Sequence, residues 1–157
     1  MQPGRCDYLN RDEATGGCSA GDGQDTIRLS ADLTLADIVP DVTSLHTLPN
    51  PLPNITSDIV IEGENRRSDA DGNIAFTVKF GDLTINNLRL TNAASNAFRD
   101  FDGGAIILRY GRLEINSSSF TNNWAMNGAV IYNYDSDIEI RNSVIADNLA
   151  GERGAAL

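Results

Sequence analysis

Lysine is almost absent from this sequence of 157 residues, which contains Lys79 and no other. Lysine and arginine together number 12 against 22 aspartates and glutamates, so the net charge is −10 at pH 7. A surface of that sign repels phosphate groups, which excludes nucleic acids and anionic membrane surfaces as partners. Apolar runs are short as well. None approaches the roughly 20 residues that cross a bilayer, so we expect no membrane insertion by this segment.

Cysteine and histidine are equally scarce. The two cysteines, Cys6 and Cys18, are too few for a structural zinc site. They favour a disulfide that closes a short loop, and hence an oxidising compartment, over two free thiols in a cytosolic protein. Residues 1–6 do not form a signal peptide, so we expect export to depend on a leader that this sequence lacks. The single histidine, His46, gives a Ser–His–Asp triad almost no support.

The sequence is rich in turn-forming residues, with 16 asparagines and 14 glycines. It also contains an internal repeat. Three segments align: GDLTINNLRLTN (81–92), GRLEINSSSFTNN (111–123) and SDIEIRNSVIADN (136–148). A fourth, SDIVIEG (57–63), matches their beginning. The apolar columns of this alignment are Ile59, Leu83, Leu113 and Ile138; Ile61, Ile85, Ile115 and Ile140; and Leu90, Phe120 and Ile145.

The segments that precede these also align, and their alternation predicts short strands with one face inward. The matched triplets are Phe76, Val78 and Phe80; Ile106, Leu108 and Tyr110; and Val130, Tyr132 and Tyr134. The last residues of the three triplets, Phe80, Tyr110 and Tyr134, predict an aromatic ladder. A shared turn position is occupied by Asn87, Ser117 and Asn142, whose side chains are predicted to hydrogen-bond from repeat to repeat. No segment has a convincing helical period.

Repeats of about 24–30 residues that contain only short strands favour an all-β fold, a parallel β-helix or β-solenoid. In that fold, equivalent strands stack about 4.8 Å apart. An antiparallel sandwich of hairpins explains single alternating strands equally well. It gives no reason for columns to persist at one offset, so the β-helix is the preferred interpretation.

Two paired motifs carry a resemblance to a known group. GGAI (103–106) with FTNN (120–123) recurs as GAVI (128–131) with IADN (145–148), and GAAL (154–157) begins a third copy. These resemble the GGAI and FxxN motifs of chlamydial polymorphic outer-membrane proteins and related bacterial surface β-helices. The resemblance implies a right-handed, pectin-lyase-like β-helix, and the usual right-handedness of parallel crossovers agrees with it.

The N-terminal part resembles a second, related group. Residues 14–35 and 52–63 are similar to the opening coils of bacterial secreted β-helix proteins with a Cys-Ser-Leu-Arg-Glu-Ala-type N-terminal motif, of which CDYLNRDEA (6–14) is a degenerate version. We therefore expect an N-terminal cap with the disulfide over residues 1–25. The β-helix follows over residues 26–157, with a proline-rich insertion at about 36–54. The resemblance implies an extracellular or cell-surface location and a role in adhesion or surface display.

Several β-helices cleave polysaccharides, so paired carboxylates are of interest. The alignment places Glu114 and Glu139 in one outward column, with Arg112 nearby. Two carboxylates one coil apart would be separated by about 5 Å, near the spacing in retaining glycosidases. The preferred interpretation of the same residues is a solvated face with ion pairs worth under about 1 kcal/mol each.

Aspartate-rich turns suggest calcium, which prefers hard oxygen ligands. The candidates are Asp69 and Asp71 in DADGN and Asp100 and Asp102 in DFDGG, and YDSD (134–137) is a similar turn. None has the spacing of a twelve-residue calcium loop, and aspartate and glycine are ordinary turn residues. Calcium is therefore possible, but no cofactor is expected.

Two features point to partners. Trp124 can stack on a sugar ring, although such a residue as often packs on a neighbouring loop. The C-terminal segment is a strand in mid-repeat, which is either an assembly surface or the start of further coils; it comprises Gly154, Ala155, Ala156 and Leu157. The predicted function is a non-catalytic extracellular scaffold, adhesin-like or self-assembling end to end. The alternatives are a polysaccharide lyase or hydrolase, and a module that binds surface glycans.

Overall fold

The computed structural model describes residues 24–35, 54–95 and 103–157. Within these ranges the chain forms fifteen β-strands and no α-helix. The strands are β1 (Asp25–Arg28), β2 (Leu33–Thr34), β3 (Ile59–Glu62), β4 (Arg67–Asp69), β5 (Phe76–Lys79), β6 (Asp82–Asn86), β7 (Arg89–Thr91), β8 (Ile106–Arg109), β9 (Arg112–Asn116), β10 (Ser119–Thr121), β11 (Trp124–Asn127), β12 (Ile131–Tyr134), β13 (Asp137–Arg141), β14 (Val144–Ala146) and β15 (Leu149–Arg153).

Some predicted features lie outside the described residues. They are the predicted N-terminal cap except for residues 24 and 25, the two cysteines within it, the calcium candidates Asp100 and Asp102, and nearly all of the proline-rich insertion. Among the residues that are described, no helix is long and apolar enough to cross a membrane.

The strands pair in parallel and form four sheets. Sheet 1 has the order β1-β3-β6-β9-β13 and sheet 2 the order β2-β4-β7-β10-β14. Sheet 3 contains β5-β8-β12, and sheet 4 contains β11-β15. Within each sheet the strands follow one another in chain order, so each neighbour comes from the next repeat of the sequence. The predicted all-β class with parallel strands is confirmed.

The register of sheet 1 confirms the apolar columns predicted from the alignment. One column runs through Ile27, Ile61, Ile85, Ile115 and Ile140, so successive repeats contain 34, 24, 30 and 25 residues. The next column contains Ile59, Leu83, Leu113 and Ile138. In sheet 2, Leu90, Phe120 and Ile145 pair as predicted. Neighbouring repeats of different length therefore keep one register.

The inward columns form the core. Leu83, Ile85, Leu113, Ile115 and Phe120 are at most 1% exposed and belong to one cluster of buried side chains. The residues between them point outward, as the alternating burial of β6 and β9 shows. Burial of one such large apolar side chain contributes about 1.5–3 kcal/mol, so the repeated columns account for the packing of one sheet against the next.

The predicted alignment of Val130, Tyr132 and Tyr134 is wrong by one residue. Ile131, and not Val130, pairs with Ile106. Ile131 is also fully buried.

The physical reason lies in the corners of the chain. Gly103 and Gly128 have left-handed φ angles of 79° and 59°, and seven residues later Tyr110 and Asp135 do so again, at 56° and 51°. The two corners are seven residues apart in both repeats, and this equal spacing sets the register of the strand between them. The same register aligns the GGAI motif with the GAVI motif. Tyr134 therefore precedes the corner and does not occupy it.

Corner residues recur with left-handed φ angles, including the predicted turn position. Asn87, Ser117 and Asn142 have φ angles of 52°, 49° and 51°. The side-chain hydrogen bonds between repeats, however, are made by the residue after this corner. Ser118 Oγ accepts the backbone N–H of Leu88 at 3.1 Å, and Ser143 Oγ accepts that of Ser118 at 3.1 Å.

Two further corners use the same arrangement. Asn123 Oδ1 accepts the N–H of Ala93 at 2.9 Å, and Asn148 Oδ1 accepts that of Asn123 at 3.0 Å. At the corner before sheet 1, Ser136 Oγ accepts the N–H of Gly111 at 3.0 Å. In every case a polar side chain reaches back and satisfies an N–H of the preceding repeat, where the ladder of strand hydrogen bonds is interrupted.

Candidate functional site

The predicted carboxylate pair lies on the outer face of sheet 1. Glu139 is paired with Glu114 in the ladder of β13 and β9, and Arg112 is paired with Asp137. Because Leu113 and Ile115 point inward, the glutamates and arginines of these strands point outward. The three residues predicted as a catalytic group are thus brought together.

The charges form a closed network of two arginines and two glutamates. Arg112 Nη2 lies 3.7 Å from Glu114 Oε2 and 3.3 Å from Glu139 Oε2. Arg141 Nη1 lies 2.8 Å from Glu114 Oε1, and Arg141 also pairs with Glu139. Each arginine therefore contacts both glutamates, and the four charges compensate one another. The glutamate side chains are 26% and 39% exposed, so solvent screens the network only in part.

An amide ladder continues the network along sheet 1. Asn116 Nδ2 donates to Glu114 Oε1 at 3.1 Å and to Asn86 Oδ1 at 3.0 Å. Asn86 Nδ2 donates in turn to Glu62 Oε1 at 2.9 Å. These contacts tie the outer faces of β3, β6, β9 and β13 together. Such contacts between neighbouring strands of successive repeats are the kind that stabilise the surface of a sheet.

The pKa of Glu114 is lowered. The largest cause is the hydrogen bond from Asn116, which outweighs partial burial; the positive charges of Arg141 and Arg112 act in the same direction. A glycosidase of the two-carboxylate type needs one carboxylic acid with a raised pKa that can donate a proton to the leaving group. The environment of Glu114 favours the opposite state, the ionised carboxylate.

Of the described calcium candidates, Asp69 already has protein partners for its carboxylate. Asp69 Oδ2 pairs with Arg67 Nη2 at 2.6 Å, and both carboxylate oxygens accept from Asn92 Nδ2, at 3.0 and 3.1 Å. Asp69 Oδ1 also accepts the N–H of Asp71 at 3.1 Å. Over residues 24–35, 54–95 and 103–157, no group of three or more histidine, cysteine, aspartate or glutamate side chains is placed to hold a metal ion.

The predicted ligand residue Trp124 lies on sheet 4, whereas the predicted C-terminal strand is wrong: β15 ends at Arg153, and residues 154–157 form no strand. Trp124 begins β11, is half-buried, and stands in the ladder between Ala94 and Leu149. The C-terminal residues continue the pairing with the preceding repeat. The carbonyl of Gly154 accepts from Ala129 N at 3.0 Å, and that of Ala156 accepts from Ile131 N at 3.0 Å. Ala155 lies between them, and Leu157 is 58% exposed.

Sequence reasoning missed one surface feature. The rings of Phe80 and Tyr110 stack with centroids 5.2 Å apart and an angle of 9°, as an aromatic ladder predicts. Tyr134 instead meets Tyr110 at 80°, with centroids 5.4 Å apart. Beside them lies a shallow depression of about 430 Å³, lined by Tyr110, Gly111, Asp135, Ser136 and Asp137. The YDSD turn and the aromatic column were both visible in the sequence, but nothing there linked them.

Comparison with protein-family models, with curated proteins and with solved structures finds no match for this chain.

Proposed function

We propose that the chain is a right-handed parallel β-helix that acts as a non-catalytic scaffold outside the cell. Its GGAI and FTNN motifs favour an adhesin-like or self-assembling surface protein. Its partner in assembly is a further repeat of the same kind, contributed by a second copy or by further coils. The observation that carries the proposal is the direction of the hydrogen bonds at the Ser and Asn corners, where Ser118, Ser143, Asn123 and Asn148 each accept an N–H of the preceding repeat.

The order of the sheets supports the helical path. The repeat that contains β9, β10, β11 and β12 visits sheets 1, 2, 4 and 3 in turn before the chain returns to sheet 1 at β13. Parallel neighbours in every sheet then require the chain to wind in one sense. Parallel crossover connections are right-handed in nearly all proteins.

At the Ser and Asn corners, the direction of these hydrogen bonds leaves the N–H groups of the last described repeat without an acceptor side chain. Ser143 Oγ accepts a hydrogen bond from the N–H of Ser118, and Asn148 Oδ1 accepts one from the N–H of Asn123. In the described part of the chain, no side chain does the same for the N–H groups of Ser143 and Asn148 themselves. A following repeat with Ser or Asn after its corners would satisfy both groups, since an unpaired N–H is costly once it is buried.

The apolar columns end in the same way. Leu113, Ile115 and Phe120 are fully buried, whereas their ladder partners Ile138, Ile140 and Ile145 are only partly buried. A stacked repeat would cover these three side chains and continue the core. The compensated charges of the arginine–glutamate network, with its lowered Glu114 pKa, agree with a structural face.

Assembly can be tested with lysines on the edge strands, because charged residues there oppose strand pairing. Val144 and Leu149 are exposed apolar residues of β14 and β15, at 56% and 63%. Val144→Lys with Leu149→Lys should keep the protein monomeric. Phe80→Lys is the matched control, since Phe80 is 65% exposed but lies on a lateral corner. Light scattering over a concentration series and electron microscopy measure the outcome.

We expect the unmodified protein and the Phe80→Lys variant to form end-to-end assemblies whose mass rises with concentration. Circular dichroism should show that the double variant retains its β-structure. An unmodified protein that remains monomeric at high concentration contradicts assembly through a second copy, and so does a double variant that assembles as readily as the control.

A further inference from the structure

The corner between sheets 3 and 1 presents two aromatic rings at a right angle. Tyr110 and Tyr134 meet at 80° and are 44% and 51% exposed. Phe80, one repeat earlier, is stacked on Tyr110. The first two rings thus shield one another, while the Tyr110–Tyr134 pair forms an open aromatic angle at the surface. This site borders the end surface proposed above, because Tyr134 and Asp137 lie on β12 and β13, the last strands of their sheets.

The depression beside this aromatic angle is acidic. Asp135 and Asp137 are exposed and line it together with Tyr110, Gly111 and Ser136. Neither carboxylate forms a salt bridge with a described residue. The hydroxyl of Ser136 is already engaged with the backbone, so the two carboxylates are the groups available to a ligand.

The charges of Asp135 and Arg109 act on Tyr110 in opposite directions. The pKa of Tyr110 is raised, mainly by its hydrogen bond with Tyr134. The negative charge of Asp135 adds to this and outweighs the opposite influence of Arg109. The same ladder already holds a cation at its first ring, because Lys79 Nζ lies 5.9 Å from the centroid of Phe80. The partly exposed rings of Tyr110 and Tyr134 lie beside the depression that the two carboxylates line.

We propose that Tyr110, Tyr134, Asp135 and Asp137 bind the ammonium group of a ligand. Aromatic faces attract cations through the ring quadrupole, and sites for quaternary ammonium groups combine such faces. The two carboxylates and the net charge of −10 add long-range attraction. A neutral sugar could also stack on an exposed ring, but it would gain nothing from this charge.

Choline and its neutral isostere 3,3-dimethylbutan-1-ol separate the two ligand classes, because they share shape and differ in charge. Titration of the full 157-residue protein, followed by NMR, should show saturable shifts of the Tyr110 and Tyr134 ring signals with choline only. Added salt should weaken the binding. Tyr134→Leu should reduce the affinity about two- to fivefold, the usual effect of losing an exposed cation–π contact.

Aspartate variants test the charge. Asp135→Asn with Asp137→Asn should weaken choline binding at least as much as Tyr134→Leu. Asp147→Asn is the matched control, since Asp147 is also exposed and occupies a left-handed corner, with φ 56° against 51° for Asp135. Equal shifts with the neutral isostere would overturn the proposal, as would full affinity in the double aspartate variant. Shifts of the same signals by maltose, without shifts by choline, would assign the corner to sugars instead.

Discussion

At the scale of single residues, the second glycine of the GGAI motif has a steric explanation. A Cβ atom at Gly104 would lie 2.0 Å from the carbonyl oxygen of Ala129, in the next repeat. Neighbouring Gly103 has a φ angle of 79°, which an L side chain rarely adopts. The first glycine therefore makes the corner and the second permits close approach of the backbones. The motif was visible in the sequence, but the atom it avoids was not.

Glu114 gives a prediction at the same scale. Its pKa is lowered in the folded state, so its contribution to stability is present above the ordinary glutamate pKa and is lost as the pH falls through the folded value. We expect the unmodified protein to lose more stability between pH 7 and pH 3 than Glu114→Gln does. Urea denaturation at both values measures this.

The control for that measurement is Glu152→Gln, which removes an exposed glutamate of β15 outside the charge network. It should retain the pH dependence of the unmodified protein. If Glu114→Gln loses stability with acid as steeply as the unmodified protein does, then the network contributes nothing to acid stability.

At the scale of elements, the corners carry as much specificity as the strands. Asn123 is 1% exposed, and its side chain satisfies the N–H of Ala93 and donates to Asn148 at 2.9 Å. Asn123→Ala leaves a buried N–H without a partner. We expect a loss of about 1–3 kcal/mol in the free energy of unfolding, which urea denaturation measures.

Asn133→Ala is the matched control, because the Asn133 amide donates to Ser136 O at 3.1 Å in an exposed position. Its effect should stay within about 0.5 kcal/mol, as is usual for surface substitutions. Equal losses in the two variants would show that the corner ladder does not depend on its buried amide.

The strands themselves were largely predictable. Alternation of apolar and polar residues located them, and constant spacing between repeats aligned Leu83 with Leu113 and Leu90 with Phe120. Alternation is ambiguous at the start of β12, because Val130 and Ile131 are both apolar and both fully buried. The GGAI and GAVI motifs pair Ile106 with Ile131 and therefore predict the correct register. The equal spacing from Gly103 and Gly128 to the left-handed corners at Tyr110 and Asp135 agrees with it.

At the scale of the whole molecule, the position of a repeat determines what its residues contribute. Ile115 and Ile140 belong to one column, but Ile115 is fully buried between two neighbouring strands and Ile140 is partly exposed on the last strand. Ile115→Ala should cost about 2–5 kcal/mol. Ile140→Ala should cost less in dilute protein, because part of that side chain is already in water.

If repeats stack end to end as proposed, the cost of Ile140→Ala rises with protein concentration and approaches that of Ile115→Ala. Urea denaturation of both variants at low and high protein concentration tests this. A difference between the two variants that does not change with concentration argues against burial of Ile140 in an assembly.

The sequence alone determined the apolar columns of sheets 1 and 2, because the same pattern recurs in each repeat and adjacent repeats are neighbours in space. Only the tertiary structure decided how side chains meet across repeats. Arg112 reaches Glu139 over a separation of 27 residues, and Tyr134 turns edge-on to Tyr110 beside two carboxylates. Such contacts depend on register to a single residue and on side-chain direction. An alignment of short alternating strands leaves both of these open.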